Sequence, residues 1–108
     1  MIIGIGTDII EIKRIKENIV EHVLTKEEKE IYYSKNGKKK IQYLAGRFAA
    51  KEAIIKAICP YENPHMLEIN IYNDLNGKPI VKYKNYEIMI SISHEDNYAI
   101  AFAIIKKR

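Results

Sequence analysis

Alternation opens the chain. From Ile2 to Ile12, residues Ile3, Ile5 and Ile9 fall on one face and Gly4, Gly6, Asp8, Ile10 and Ile12 on the other, which predicts a strand. The period then lengthens. Ile15, Ile19 and Val23 stand at helical spacing and predict a short helix over Lys13 to His22. Thr25 followed by Glu28 has the spacing of a capping box, so a second helix is expected to start there and to end near Asn36-Gly37. A long run of helix formers, Lys38 to Ile58, follows, and Pro60 and Pro64 make Pro60 to His65 a loop.

From Met66 the period returns to two. Leu67, Ile69 and Ile71 alternate with Glu68, Asn70 and Tyr72, and Asp74 to Gly77 is a turn into a second strand, Ile80 to Tyr83. A third strand, Glu87 to Ser93, carries Ile88, Ile90, Ile92 and His94 in one phase. The last strand sets Tyr98, Ile100, Phe102 and Ile104 on one side and Ala99, Ala101 and Ala103 on the other, and that bare side invites close approach by the alanines of the central helix. The expected fold class is α+β: one domain, residues 1–108, with a long central helix packed on a small antiparallel sheet.

One charge interrupts this pattern. On the central helix, Ile41, Leu44, Ala45, Phe48, Ile55 and Cys59 share a stripe, with Glu52 near its centre and Lys56 at its margin. A carboxylate among apolar neighbours takes up a proton or finds a cation, and a bound metal is one such partner. An i, i+4 ion pair with Lys56, or rotation of Glu52 to water, would serve as well. Asp8 shares its strand face with Gly4 and Gly6. The missing side chains leave room for a ligand or another backbone, or Asp8 is simply solvated at a strand end.

Composition adds limits. With 108 residues the core is modest, and a complete site would borrow residues from a second subunit. Eighteen basic against 14 acidic residues give a net charge of +4, which suits an anionic partner. Cys59 has no intrachain partner and is expected in the core, in a reducing compartment. The N-terminus has no basic n-region, and no apolar stretch approaches the roughly 20 residues of a membrane span, so a soluble cytoplasmic protein is expected. Lys38-Lys39-Lys40 reads as a solvated basic end, and His65 as a surface residue.

Asp8 and Glu52 together would suit magnesium, which takes one or two carboxylates and completes its shell with water and phosphate. Arg47, Lys51 and Lys56 on the same helix would offset the charge of a diphosphate.

Four blocks, in order, resemble the holo-acyl-carrier-protein synthases, the small class of phosphopantetheinyl transferases. They are Gly4-Ile5-Gly6-Thr7-Asp8 through Ile15, Gly46-Arg47-Phe48-Ala49-Ala50-Lys51-Glu52-Ala53 with Lys56-Ala57, Asn76-Gly77-Lys78-Pro79, and Ser91-Ile92-Ser93-His94 with Tyr98-Ala99. The resemblance implies a trimer with sites between subunits. It also implies transfer of phosphopantetheine from coenzyme A to a serine of apo acyl carrier protein for fatty acid biosynthesis, releasing adenosine 3',5'-bisphosphate, with magnesium required. By the same resemblance Asp8 and Glu52 are metal ligands, Glu52 is the candidate base and Lys56 neutralises diphosphate charge. Arg47, Gly77, Lys78, Pro79, Ser93 and His94 line the coenzyme site, and Arg14 faces the carrier protein.

Two stretches depart from the family. Pro60 to His65 stands where a glycine-rich loop is usual, and Lys16 to His22 lacks the several arginines that often meet the carrier. Two other readings are a coenzyme A-binding homologue without activity and a non-enzymatic basic domain binding nucleic acid through its sheet. The eight tyrosines are scattered rather than clustered on one sheet face, which speaks against nucleic acid as partner.

Overall fold

A computed structural model describes all 108 residues. Its elements are β1 (Ile2–Glu11), α1 (Val20–Val23), α2 (Lys26–Ser34), α3 (Gly37–Ile58), β2 (Asn70–Asn73), β3 (Pro79–Tyr83), β4 (Tyr86–His94) and β5 (Tyr98–Lys107). The strands form one antiparallel sheet in the order β1-β5-β4-β3-β2, with Asp8 opposite Ala101 and His94 opposite Ala99. Helix α3 lies across one face of it.

Residues without bulk set how near that helix comes. A Cβ on Gly4 would stand 1.7 Å from the carbonyl oxygen of Ala57, and one on Gly6 2.1 Å from that of Ala53. The room beside Asp8 is thus taken by another backbone, the backbone of α3. Ala101 and Ala103 of β5 are buried with Ala49, Ala50, Ala53 and Ala57 of the helix, and Ala99 with its Leu44 and Ala45, as the bare strand face leads one to expect.

Burial around α3 corrects the reading of its faces. The buried residues include Leu44, Ala45, Gly46, Arg47, Ala49, Ala50, Lys51, Ala53, Ile54, Ala57 and Ile58, which at 100° per residue cover most of the circumference. Of the expected stripe, Leu44 and Ala45 are fully buried, Ile41, Phe48 and Ile55 are half-buried with Glu52, and Cys59 beyond the helix end is exposed rather than in the core. Small residues make up much of the core face, so a stripe drawn through large apolar residues caught only part of the buried surface.

Two predicted elements also differ. Lys13 to His22 is not one helix. It is a 3₁₀ turn over Ile12–Arg14, an extended Ile15-Lys16, a second 3₁₀ turn over Glu17–Ile19, and then α1. Its buried residues, Ile12, Ile15, Val20, Val23 and Leu24, have irregular spacing, and bending the chain lets all of them enter one cluster with Tyr32, Leu44 and Ala45. The strand expected from Met66 starts only at Asn70. Met66–Glu68 is a 3₁₀ turn that leaves Leu67 exposed while burying Ile69 and Ile71.

The capping box of α2 forms as its spacing predicts. The Glu28 amide donates to Thr25 Oγ1 at 3.3 Å and the Thr25 amide to Glu28 Oε1 at 2.8 Å. Glu28 is buried because the same carboxylate meets Lys51 of α3, also with 0 % of its side chain exposed, at 2.6 Å. Lys51 therefore stands in the core, away from the cluster of charges expected around a diphosphate.

Candidate active site

Two groups of polar residues lie on α3, and they are separate. The first joins β1 to the second half of the helix. Because Gly4 and Gly6 bring α3 down onto β1, Lys56 reaches Asp8 and donates to its Oδ1 at 3.1 Å and to the Thr7 carbonyl at 3.2 Å. The i, i+4 alternative is not what forms: Lys56 pairs with Asp8 rather than with Glu52. Burial raises the Glu52 carboxyl above the usual carboxylate range, the Asp8 charge raises it further, and Lys56 opposes both. One ammonium thus serves two carboxylates, and the surplus negative charge is what a hard divalent cation would neutralise. The donor set fits magnesium, with Asp8 and Glu52 as its carboxylates; no group of three or more acidic, histidine or cysteine side chains is gathered anywhere.

The second group forms a cleft of about 490 Å³ between the first half of α3, the β2–β3 turn and the end of β4. It brings together Arg47, Gly77, Pro79 and His94 from distant parts of the chain, with Lys35, Lys39, Gln42, Tyr43, Gly46, Asn73 and Ile92. Three lining residues are cations and none is an acid, so the cleft suits a phosphate-bearing ligand. Arg47 is buried, stacks at 4.6 Å on the Tyr43 ring and donates from Nη2 to Asn73 Oδ1 at 2.6 Å. Its Nε and the Tyr43 hydroxyl have no protein partner.

The turn that supplies Gly77 is built by Asp74, whose Oδ1 accepts from the amides of Asn76 and Lys78, each at 2.9 Å. Gly77 has φ +83°, which a side chain would resist. Lys78 is exposed on this turn and is not among the lining residues. Ser93 precedes His94 on a strand and so faces the other way, into a groove of about 110 Å³ with Thr7, Ser91, Ile100 and Phe102. Arg14 is exposed at the end of the first 3₁₀ turn, in neither group.

The lysine run divides three ways. Lys39 lines the cleft, Lys38 pairs with Asp96 at 3.5 Å, and Lys40 sits over the rings of Tyr32 and Tyr33. Lys35, Gln42, Tyr43 and Asn73 were not singled out by sequence. Tyr43 had a usable signal, since it lies one turn, four residues, before Arg47 on the same helix.

Residues 4–103 match the 4'-phosphopantetheinyl transferase superfamily. The chain is 48% identical over 117 residues to a holo-acyl-carrier-protein synthase of Geobacillus sp. strain WCH70, covering 99% of this chain and 98% of that one. It is 40% identical over 118 residues to the synthase of Staphylococcus haemolyticus, covering 100% and 99%. Among solved structures, it superposes with a TM-score of 0.93 on a holo-acyl-carrier-protein synthase from Bacillus anthracis in complex with CoA (3',5'-ADP), at 36% identity, covering 100% of this chain and 99% of that one. The Neisseria meningitidis synthase superposes at 0.86 with 31% identity, covering 99% and 100%. With the fold, the close-packed glycine strand and both polar groups in place, this chain belongs to the holo-acyl-carrier-protein synthase family of phosphopantetheinyl transferases.

Proposed function

We propose that the acid-free cationic cleft holds coenzyme A and that the chain transfers its phosphopantetheine to a serine of apo acyl carrier protein. The observation that carries this reading is the cleft of Lys35, Lys39 and Arg47, and the Bacillus anthracis relative, a protein of the same fold, is in complex with CoA (3',5'-ADP). In the reaction the serine hydroxyl attacks the phosphorus bearing pantetheine. A new Oγ–P bond forms, the P–O bond to the nucleotide breaks, and adenosine 3',5'-bisphosphate leaves. Glu52 would take the serine proton, a role helped by its raised affinity for one. Lys56 would hold Asp8 in place and offset diphosphate charge. Asp8 and Glu52 would hold magnesium, which when bound supplies positive charge to the diphosphate.

The working unit in this reading is a homotrimer. The sheet face turned away from α3 is open and apolar, with Ile5 63% and Ile9 61% exposed beside Ile100, Phe102 and Met89. The two polar groups also lie apart: Glu52 is six residues from Gly46 on α3, about 9 Å along the axis and a third of a turn round. A neighbour's cleft set against one chain's carboxylates completes a site. That apolar face, centred on isoleucines rather than on stacked tyrosines and cations, gives nucleic acid little to bind. No helix is long and apolar enough to cross a membrane. The unpaired Cys59 and a coenzyme-dependent reaction fit the cytoplasm.

Incubation with coenzyme A, magnesium and an apo carrier protein should add the mass of one phosphopantetheine to the carrier. Coenzyme A binding without mass gain would mark an inactive homologue. Neither binding nor gain would overturn the reading.

A further inference from the structure

The buried pair Glu28–Lys51 does more than join two helices. Lys51 Nζ donates to Glu28 Oε1 at 2.6 Å, to the Val23 carbonyl at 2.6 Å and to the Met66 carbonyl at 3.0 Å, so all three of its hydrogens are used. Glu28 Oε1 also accepts from the Thr25 amide, and Oε2 accepts from the Ile71 amide at 2.9 Å. Ile71 belongs to β2, the edge strand, and Glu28 occupies an amide that no further strand pairs.

This contact is one rung of two between α3 and β2. Lys51 reaches Ile71 through Glu28, and one turn earlier Arg47 donates directly to Asn73. Four residues of helix rise about 6 Å and two residues of strand about 7 Å, so the rungs are evenly spaced. The outer rung lies in the cleft. Asn73 also donates from Nδ2 to the Gly77 carbonyl at 2.9 Å, which passes the placement on to the turn that lines the opposite wall.

We propose that Glu28 and Lys51 are positioning residues for the nucleotide end of the coenzyme: the inner rung sets the register of β2 against α3, and through it the Arg47–Asn73–Gly77 wall. The inference rests on the cleft being the coenzyme site. Its cost explains its character. An ion pair at 0 % exposure is expensive to desolvate, and an apolar pair would hold the core at least as well, but would leave the Ile71 and Thr25 amides and the Val23 carbonyl unpaired and β2 free to shift.

The test measures binding of coenzyme A and of adenosine 3',5'-bisphosphate by calorimetry, with circular dichroism to confirm folding, for wild type, Glu28→Gln, Lys51→Met, Asn73→Ala and each double variant with Asn73→Ala. Glu28→Gln keeps the shape of the side chain and carries the comparison if Lys51→Met does not fold. The inner-rung variants should weaken both ligands about tenfold, and less than additively with Asn73→Ala, as residues acting through one another do. Turnover at saturating coenzyme A should stay within about twofold, the loss appearing in KM. Unchanged binding by folded variants, or losses fully additive with Asn73→Ala, would overturn the inference while leaving the coenzyme site intact. A wild type that binds neither ligand would overturn both.

Discussion

At the scale of single residues, the chemistry rests on one carboxylate that is uncomfortable where it stands. Burial and the neighbouring Asp8 raise the Glu52 carboxyl, so the folded chain binds that proton more tightly than the unfolded one does. Ionised Glu52 therefore lowers stability above its folded pKa, and the penalty vanishes as pH falls below the unfolded carboxylate value. Without metal, Glu52→Gln should melt higher than wild type at neutral pH, with the gap closing in acid. Magnesium should raise the Tm of wild type and not that of Glu52→Gln. A variant no more stable than wild type at neutral pH would mean that the carboxylate is well solvated. Asp8 and Glu52 were legible as a pair because a charge among apolar residues and glycines in a strand are both anomalies of pattern. Lys51 was not, because its burial is made possible by Glu28, 23 residues away, and by carbonyls that have no signature in sequence.

The elements are held by a few contacts whose loss has a calculable effect. Gly6→Ala would drive a methyl into the Ala53 carbonyl, and since neither backbone can yield without moving a whole element, a loss of about 2 kcal/mol or more is expected in urea unfolding. Thr25→Ala removes the cap of α2, with an expected loss of about 1 kcal/mol. If Gly6→Ala were neutral, α3 would not lie on β1 as described. The cap was foreseeable from local spacing, since it needs only residues i and i+3; the glycines of β1 signalled free space but left open whether a ligand or another backbone fills it. The faces of α3 were not foreseeable, because alanine and glycine weigh little in any hydrophobic stripe although they are what the sheet contacts. The bent segment from Ile12 to Val23 escaped for a related reason, since three-residue turns have no period long enough to detect.

At the scale of the whole molecule, sequence blocks named both halves of the candidate site but not their separation. Arg47 and Glu52 are five residues apart on one helix, yet one lines the cleft and the other feels the charge of Asp8 on β1. An assembly mass of three times the 12.6 kDa chain is expected by light scattering, and Ile9→Lys with Phe102→Lys should reduce it toward one chain and abolish transfer. Carrier docking is expected at the exposed Arg14, so Arg14→Ala should raise KM for the carrier, leave coenzyme A binding unchanged and flatten the salt dependence of kcat/KM. The central claim, that one chain's cleft works with another chain's carboxylates to transfer phosphopantetheine, is tested most directly by mixing two inactive proteins. Arg47→Ala and Glu52→Gln, each alone, should leave the apo carrier unmodified. Unfolded together and refolded as mixed assemblies, they should regain about a quarter of wild-type transfer, since random assortment pairs an intact cleft with an intact carboxylate at one site in four. Mixed assemblies that remain inactive, while wild type treated in the same way recovers, would contradict the shared site.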